Sequence, residues 1–275
     1  KTIDITKNVE DITKKVSIKN TSFNVLISGM DSYGTINKTT RNDVNMIATV
    51  NPNTNKVLLT SIPRDYYVQL HGKTGYKDKL THAGIYGINT VVQTIEDLFG
   101  IDINYYVRVN FTTVESLVNT IGPIEIYSDK AMSLDGCKYV VGTNTVNGKC
   151  ALRFARERHS YVEGDNHRIK NQQEVIKGIF NKLSKSAMVV TDYTSILDSL
   201  DGKFATNMDM KDITAFIKYE LEDITKYEIL DTQVTGTGSM ELTYSYPHQK
   251  LYVMFPSEQS VESAKEYINK ISNEK

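Results

Sequence analysis

Along the chain, hydrophobic positions alternate between two periods, one suited to strands and one to helices. Residues 1–20 are polar and lysine-rich with alternating Ile and Val, the pattern of a loose arm or an edge strand. Phe23-Asn24-Val25-Leu26-Ile27-Ser28-Gly29 is a short apolar run stopped by glycine, which predicts a buried strand. Runs at 44–50 and 57–62, joined by the turn signal Asn51-Pro52-Asn53, predict two more. Over 81–99 the period lengthens: Ile85, Ile88, Val91, Val92, Ile95, Leu98 and Phe99 recur at helical spacing, and Gly100 ends the run as a C-terminal cap. A strand at 104–110, a helix at 112–120 and a strand at 124–127 follow. The stripe Ile169, Ile176, Phe180 and Leu183 marks a helix over 167–184, and helical stretches fall near 191–200 and 210–221. Strands at 227–234 and 250–255 precede a last helix, capped by Ser257 and ending near Ile271. Such alternation argues for a layered α/β or α+β fold. No repeat, low-complexity segment or linker interrupts it, so one domain is expected.

Composition narrows the function classes. At 275 residues with 40% hydrophobic and 24% charged content, the chain is globular and long enough to bury a substantial core. A net charge of −1 lacks the basic surplus of a duplex-DNA binder, so nucleic acid is not an expected partner. No run of 18 apolar residues is present, hence no transmembrane helix in this chain. The chain begins at Lys1 without methionine, and a membrane anchor upstream of the arm 1–20 is expected. Cys137 and Cys150, 13 residues apart around a Gly- and Asn-containing stretch, fit either a disulfide that ties a loop or a pair of buried thiols. A disulfide points to an extracellular compartment.

The candidate chemistry lies in the arginines. There are seven against 25 lysines, all between Arg41 and Arg168, and none in the last 107 residues. Only arginine offers a planar fork that grips phosphate or carboxylate bidentately, so the clustering points to a multiply anionic ligand. Arg64 leaves a strand end fixed by Pro63. Arg153, Arg156 and Arg158 precede Arg168, which opens a helix and shares a face with Gln172 four residues on. Asp31 follows the first strand and Asp43 precedes the second. Hard carboxylate oxygens at neighbouring strand ends suit Mg²⁺, although both residue types also serve as ordinary turn formers. His82, His159 and His167 read as satisfied polar groups. The apolar stripe through Ile85, Ile88, Val92 and Ile95 would make an ordinary core, and a lipid tunnel is not readable in it.

Seven segments, in order, resemble the LytR–CpsA–Psr family of Gram-positive cell-wall enzymes. They are Gly29-Met30-Asp31-Ser32, Arg41-Asn42-Asp43, Ser61-Ile62-Pro63-Arg64-Asp65, Lys79 before Thr81-His82-Ala83, Tyr106-Val107-Arg108-Val109-Asn110-Phe111, Ala151 to Arg158, and Gly164-Asp165-Asn166-His167-Arg168 with Gln172. Val234 to Gly238 and Leu251 to Met254 also match, so the resemblance covers about residues 21–270. It departs at Tyr33, where many members carry arginine, at Thr81-His82, and at Gly122-Pro123.

The resemblance implies a three-layer α/β/α sandwich around a central mixed β-sheet, with residues 21–275 as the catalytic domain. It implies a phosphotransferase that moves an anionic glycopolymer, such as wall teichoic acid or capsular polysaccharide, from a polyprenyl-pyrophosphate carrier to peptidoglycan. The enzyme would act at the extracellular face of the cytoplasmic membrane, with the lipid carrier and the peptidoglycan acceptor as partners. Asp31 and Asp43 would hold Mg²⁺ (Mn²⁺ as the alternative). Arg41, Arg64, Lys79, Arg156, Arg158, Arg168 and Gln172 would line the pyrophosphate. Asp31, Asp43, Arg64, Arg156 and Arg158 would be catalytic, with either aspartate as the base. A non-catalytic polyprenyl-phosphate-binding scaffold is the alternative, and it would need arginines but no metal carboxylates.

Overall fold

Strand β1, Phe23–Met30, lies at the heart of the molecule and pairs on both sides. The structure, a computed structural model, describes residues 13–36, 39–162, 164–184, 193–209, 211–214 and 227–275. Strands β2 (Asn42–Asn51) and β3 (Lys56–Ile62) run antiparallel to one another, and β1 and β2 are likewise antiparallel. After the short pair β4 (Tyr67–Val68) and β5 (Asp78–Lys79), β6 (Tyr105–Asn110) returns parallel to β1. Outside the central sheet, β7 (Ile124–Ser128) pairs with β10 (Gly142–Val146), and β8 (Met132–Leu134) with β9 (Cys137–Tyr139). Two edge strands, β11 (Ala205–Thr206) and β12 (Glu228–Gln233), complete a mixed six-stranded sheet of order β11-β6-β1-β2-β3-β12. The hairpin β13–β14 (Gly236–Glu241, Leu251–Pro256) follows.

Strands β2 and β3 are buried along nearly their whole length because both faces of the sheet are covered. On one face Leu26, Ile47, Leu58 and Ile62 meet Val91, Val92, Ile95 and Phe99 of helix α1 (Ile88–Phe99) and Val261, Ala264, Ile268 and Ile271 of the C-terminal helix, Glu258–Asn273. Leu26, Ile47 and Leu58 have no exposed surface, each contributing roughly 2 kcal/mol relative to exposure. On the other face Met46, Ala48, Val57, Leu59 and Tyr105 meet Ile176 and Phe180 of the long helix Asp165–Ser184. A satellite core joins α2 (Phe111–Ile121), β7, α3 (Gly148–Arg156), the long helix and the short helix Tyr193–Ser199. In chain order these three helices are α4 (Asp165–Ser184), α5 (Tyr193–Ser199) and α6 (Glu258–Asn273). Helices on both faces of one mixed sheet make the α/β/α sandwich.

The expected helix over 81–99 is two elements. Residues Leu80–Tyr86 form a 3₁₀ turn, and α1 starts only at Ile88. Gly87 at φ 101° sets the break, and Gly84 lies against the chain so closely that a Cβ there would sit 2.3 Å from the Thr40 carbonyl oxygen. Ile85, assigned to the helical stripe, is accordingly 36% exposed. The strand at 124–127 stands outside the central sheet. Of the expected helix over 210–221, residues 211–214 are helical and the rest lies outside the described residues, as do residues 1–12 of the arm. The Ser257 cap is present, its side chain accepting from the Ser260 N–H, and Gly100 caps α1 at φ 61°.

Cys137 and Cys150 form a disulfide that fastens β9 to the first turn of α3 across β10. Closing that loop stabilises the fold by about 3 kcal/mol. Reduction is therefore expected to lower Tm by about 6–12 °C, and thiol reagents are expected to label the protein only after reduction. A Tm indifferent to reductant would show that the bond adds no net stability.

Candidate active site

The carboxyl ends of β1, β3, β6 and β12 and the amino end of β2 share one rim of the sheet. At this rim Gly29 pairs with Val44 but Met30 pairs with Asn42, so Asp43 is the extra residue of a β-bulge. A bulge re-aims the side chain it frees from the ladder. Gly29 permits the local approach, since a Cβ there would lie 2.8 Å from the Val44 Cβ. Asp31 is the residue just beyond Met30, so both carboxylates flank the last registered pair of these strands.

Each carboxylate has its own cation. Arg64 Nη1 donates to Asp43 Oδ1 at 2.9 Å, and its Nε lies 3.6 Å from Asp65 Oδ2. Lys79 Nζ meets Asp65 Oδ1 at 2.9 Å, and the Thr81 hydroxyl reaches Asp43 Oδ1 at 3.4 Å. Backbone bonds from Leu80 and Thr81 N–H to the Tyr66 and Arg64 carbonyls bind this second segment to the first. On the β1 side, Arg156 Nη2 lies 3.7 Å from Asp31 Oδ1, and its guanidinium rests 4.1 Å from the Phe111 ring centroid. Tyr33, exposed, abuts the same ring edge-on.

Behind these groups lies a buried acid. Asp78, with no exposed surface, accepts from His82 Nδ1 at 2.6 Å, from the Lys79 N–H at 2.8 Å, and from the Ser245 N–H and hydroxyl at 2.9 and 2.5 Å. Burial pushes its carboxyl up, but the hydrogen bonds from His82 and Ser245 outweigh that and hold it below the usual range. An ionised carboxylate only accepts, so His82 carries its proton on Nδ1.

A family model described as LytR_cpsA_psr matches residues 1–266. The chain belongs to the LytR–CpsA–Psr family. A polyisoprenyl-teichoic acid–peptidoglycan teichoic acid transferase TagU of Enterococcus faecalis is 32% identical over 253 residues, covering 90% of this chain and 82% of the relative. The Bacillus subtilis protein of the same name is 34% identical over 231 residues, 82% of this chain and 72% of its own. The fold matches the crystal structure of the Listeria innocua protein Lin1025 with a TM-score of 0.75 at 30% identity, over 94% of this chain and all of that one. It also matches TagT bound to LIIa-WTA, with a TM-score of 0.74 at 25% identity, over 94% of each chain.

Of the residues singled out in this LytR–CpsA–Psr chain, Asp43, Arg64 and Lys79 form one connected cluster through Asp65, and Asp31 with Arg156 forms a second. Arg41 is exposed and donates to the Tyr246 hydroxyl at 3.2 Å. Arg158, also exposed, turns to its neighbour His159. Arg168 is buried on the first turn of α4, with Gln172 half-buried one turn on. The other two arginines are committed elsewhere: Arg108 is buried against Met30 Sδ and Arg153 pairs with Asp135. Sequence reasoning missed Asp65, Thr81, Phe111 and Tyr246. Asp65 alone carried a signal, its place between Arg64 and the strand end; the others act through contacts across the fold.

Among the described residues no three His, Cys, Asp or Glu side chains gather around one point. Two carboxylates alone still fit Mg²⁺, which takes one or two protein carboxylates and completes its shell with waters and phosphate oxygens. Asp31 is about half exposed, and Arg64 and Thr81 both meet Asp43 at its Oδ1.

Proposed function

We propose that this protein transfers an anionic glycopolymer from a polyprenyl-pyrophosphate carrier to peptidoglycan at the outer face of a Gram-positive membrane. The observation that carries the reading is the pairing of Arg64, Lys79 and Arg156 with Asp31, Asp43 and Asp65 along one sheet rim. The names of the relatives point to the same donor and acceptor. Among the described residues no helix is long and apolar enough to cross a membrane, so this region would work beside the bilayer.

In this reading an acceptor sugar hydroxyl attacks the phosphorus that bears the glycan. A new P–O bond forms, the bond to the bridging oxygen breaks, and polyprenyl phosphate leaves with the bond's electron pair. The hydroxyl proton passes to Asp31 or Asp43. Phosphoryl transfer asks the protein chiefly for positioning and charge neutralisation. Arg64 and Arg156, held by carboxylates and by Phe111, approach the phosphates with little freedom left to lose. Mg²⁺ on Asp31 and Asp43 would neutralise phosphate charge.

The test is transfer from a synthetic lipid-pyrophosphate-linked glycan to peptidoglycan fragments. The expected result is glycan–peptidoglycan product with release of polyprenyl phosphate, abolished by EDTA and restored by Mg²⁺. Lipid binding without any transfer by the unmutated protein would overturn the enzymatic reading in favour of a scaffold. Transfer that survives EDTA would overturn the metal assignment alone.

A further inference from the structure

The loop 242–250, between β13 and β14, belongs to the third of the chain that lacks arginine. The fold carries it to the anion site and tethers it there. Tyr67 Oη donates to the Leu242 carbonyl at 2.8 Å, and the Tyr244 N–H to the Lys77 carbonyl at 3.1 Å. Ser245 is clamped on Asp78 by both its N–H and its hydroxyl, and the Tyr86 hydroxyl lies 2.9 Å from Ser245 Oγ. Thr243 is fully buried, and its carbonyl accepts from the Tyr246 N–H at 3.1 Å. With the residues on either side pinned, Tyr246 has a set place: its ring lies 5.2 Å from the His82 ring, and its hydroxyl receives Arg41 Nη2.

Arg41 needs such a partner. It is exposed, its long side chain has many rotamers, and Tyr246 is its side-chain partner among the described residues. A cation left to roam loses that freedom on meeting a phosphate and binds it more weakly.

We propose that Tyr246 is a positioning residue for the donor's pyrophosphate: it holds Arg41 toward the phosphates, and the Asp78–Ser245 clamp holds Tyr246. This rests on the assignment of Arg41 to the pyrophosphate in the proposed function. It gives the C-terminal hairpin a part in recognising the donor.

Two readouts test it: donor kinetics, and binding of geranylgeranyl pyrophosphate in detergent with geranylgeraniol as the tail-only control. Tyr246→Phe keeps the ring on His82 and removes only the hydroxyl. It is expected to raise KM for the donor and Kd for geranylgeranyl pyrophosphate about 5–10-fold, leaving kcat within about twofold and geranylgeraniol binding unchanged. Arg41→Ala is expected to weaken pyrophosphate binding at least as much, and the double variant no further than Arg41→Ala alone. Tyr244→Phe, one turn of the loop away, is expected to change nothing. Unaltered KM and Kd in Tyr246→Phe would overturn the proposal. So would a double variant weaker than Arg41→Ala, because the hydroxyl would then act on the ligand directly. Should the unmutated protein bind geranylgeranyl pyrophosphate no better than the alcohol, the functional reading itself fails; normal binding by Tyr246→Phe sinks this inference only.

Discussion

Arg64→Ala is expected to lower kcat/KM for glycopolymer transfer by about 10²–10³-fold, the loss typical of removing one preorganised donor from a charge-stabilising site. Arg64 joins two carboxylates, Asp43 through Nη1 and Asp65 near Nε, with only 22% of its side chain exposed. These two carboxylates fix the direction in which the guanidinium leaves the end of β3. Arg64→Lys is expected to recover little, because a single ammonium cannot bridge the two aspartates and also reach a phosphate. Steady-state rates on the lipid-linked donor measure the effect, with circular dichroism and Tm confirming that the variant folds. Activity of Arg64→Ala within about threefold of the parent would remove Arg64 from the transfer machinery.

Asp78→Asn is expected to destabilise the fold by about 3 kcal/mol, a fall in Tm of about 6–12 °C at this chain length. The amide cannot satisfy the site in either orientation. If its NH₂ replaces Oδ1 it faces the Lys79 N–H, and if it replaces Oδ2 it faces the Ser245 N–H. A buried donor set against a donor costs the full desolvation of both. The pH dependence has a definite sign. The folded-state pKa of Asp78 lies below its unfolded value of about 4. The carboxylate's contribution is therefore fully present above pH ~4 and is lost as pH falls through the folded pKa. The stability gap between parent and variant, measured by urea melts, should hold from neutral pH down to about pH 4 and shrink below it. A gap that persists unchanged into strong acid would show that folding does not lower the pKa of Asp78. Because Ser245 hangs on this carboxylate, donor binding should weaken alongside stability.

The hydrophobic periods along the chain determined most of the architecture without help. The glycine-stopped run into Gly29, the Asn51-Pro52-Asn53 turn and the stripe Ile88, Val91, Val92, Ile95 and Phe99 each name their element, because strand and helix bury different spacings. The same reading failed at residues 80–87, where apolar spacing continued but Gly84 and Gly87 serve a close approach and a positive φ. It passed over β8 to β10 and α3, which are short, polar and supported by a disulfide and a satellite core more than by their own pattern.

Arginine's chemistry likewise pointed to an anionic ligand, and order along the chain pointed to the family. Sequence alone could not say which charges meet. Asp43 faces Arg64 because one extra residue in β2 forms a bulge, and bulges leave no mark in a composition or a period. Arg156 rests on Phe111 and Arg41 on Tyr246 across 45 and 205 positions of chain. Local residues determine which segments become strands and helices. Contacts between distant segments decide where a guanidinium points, since its free energy depends on partners that only the packed sheet and its loops bring within reach.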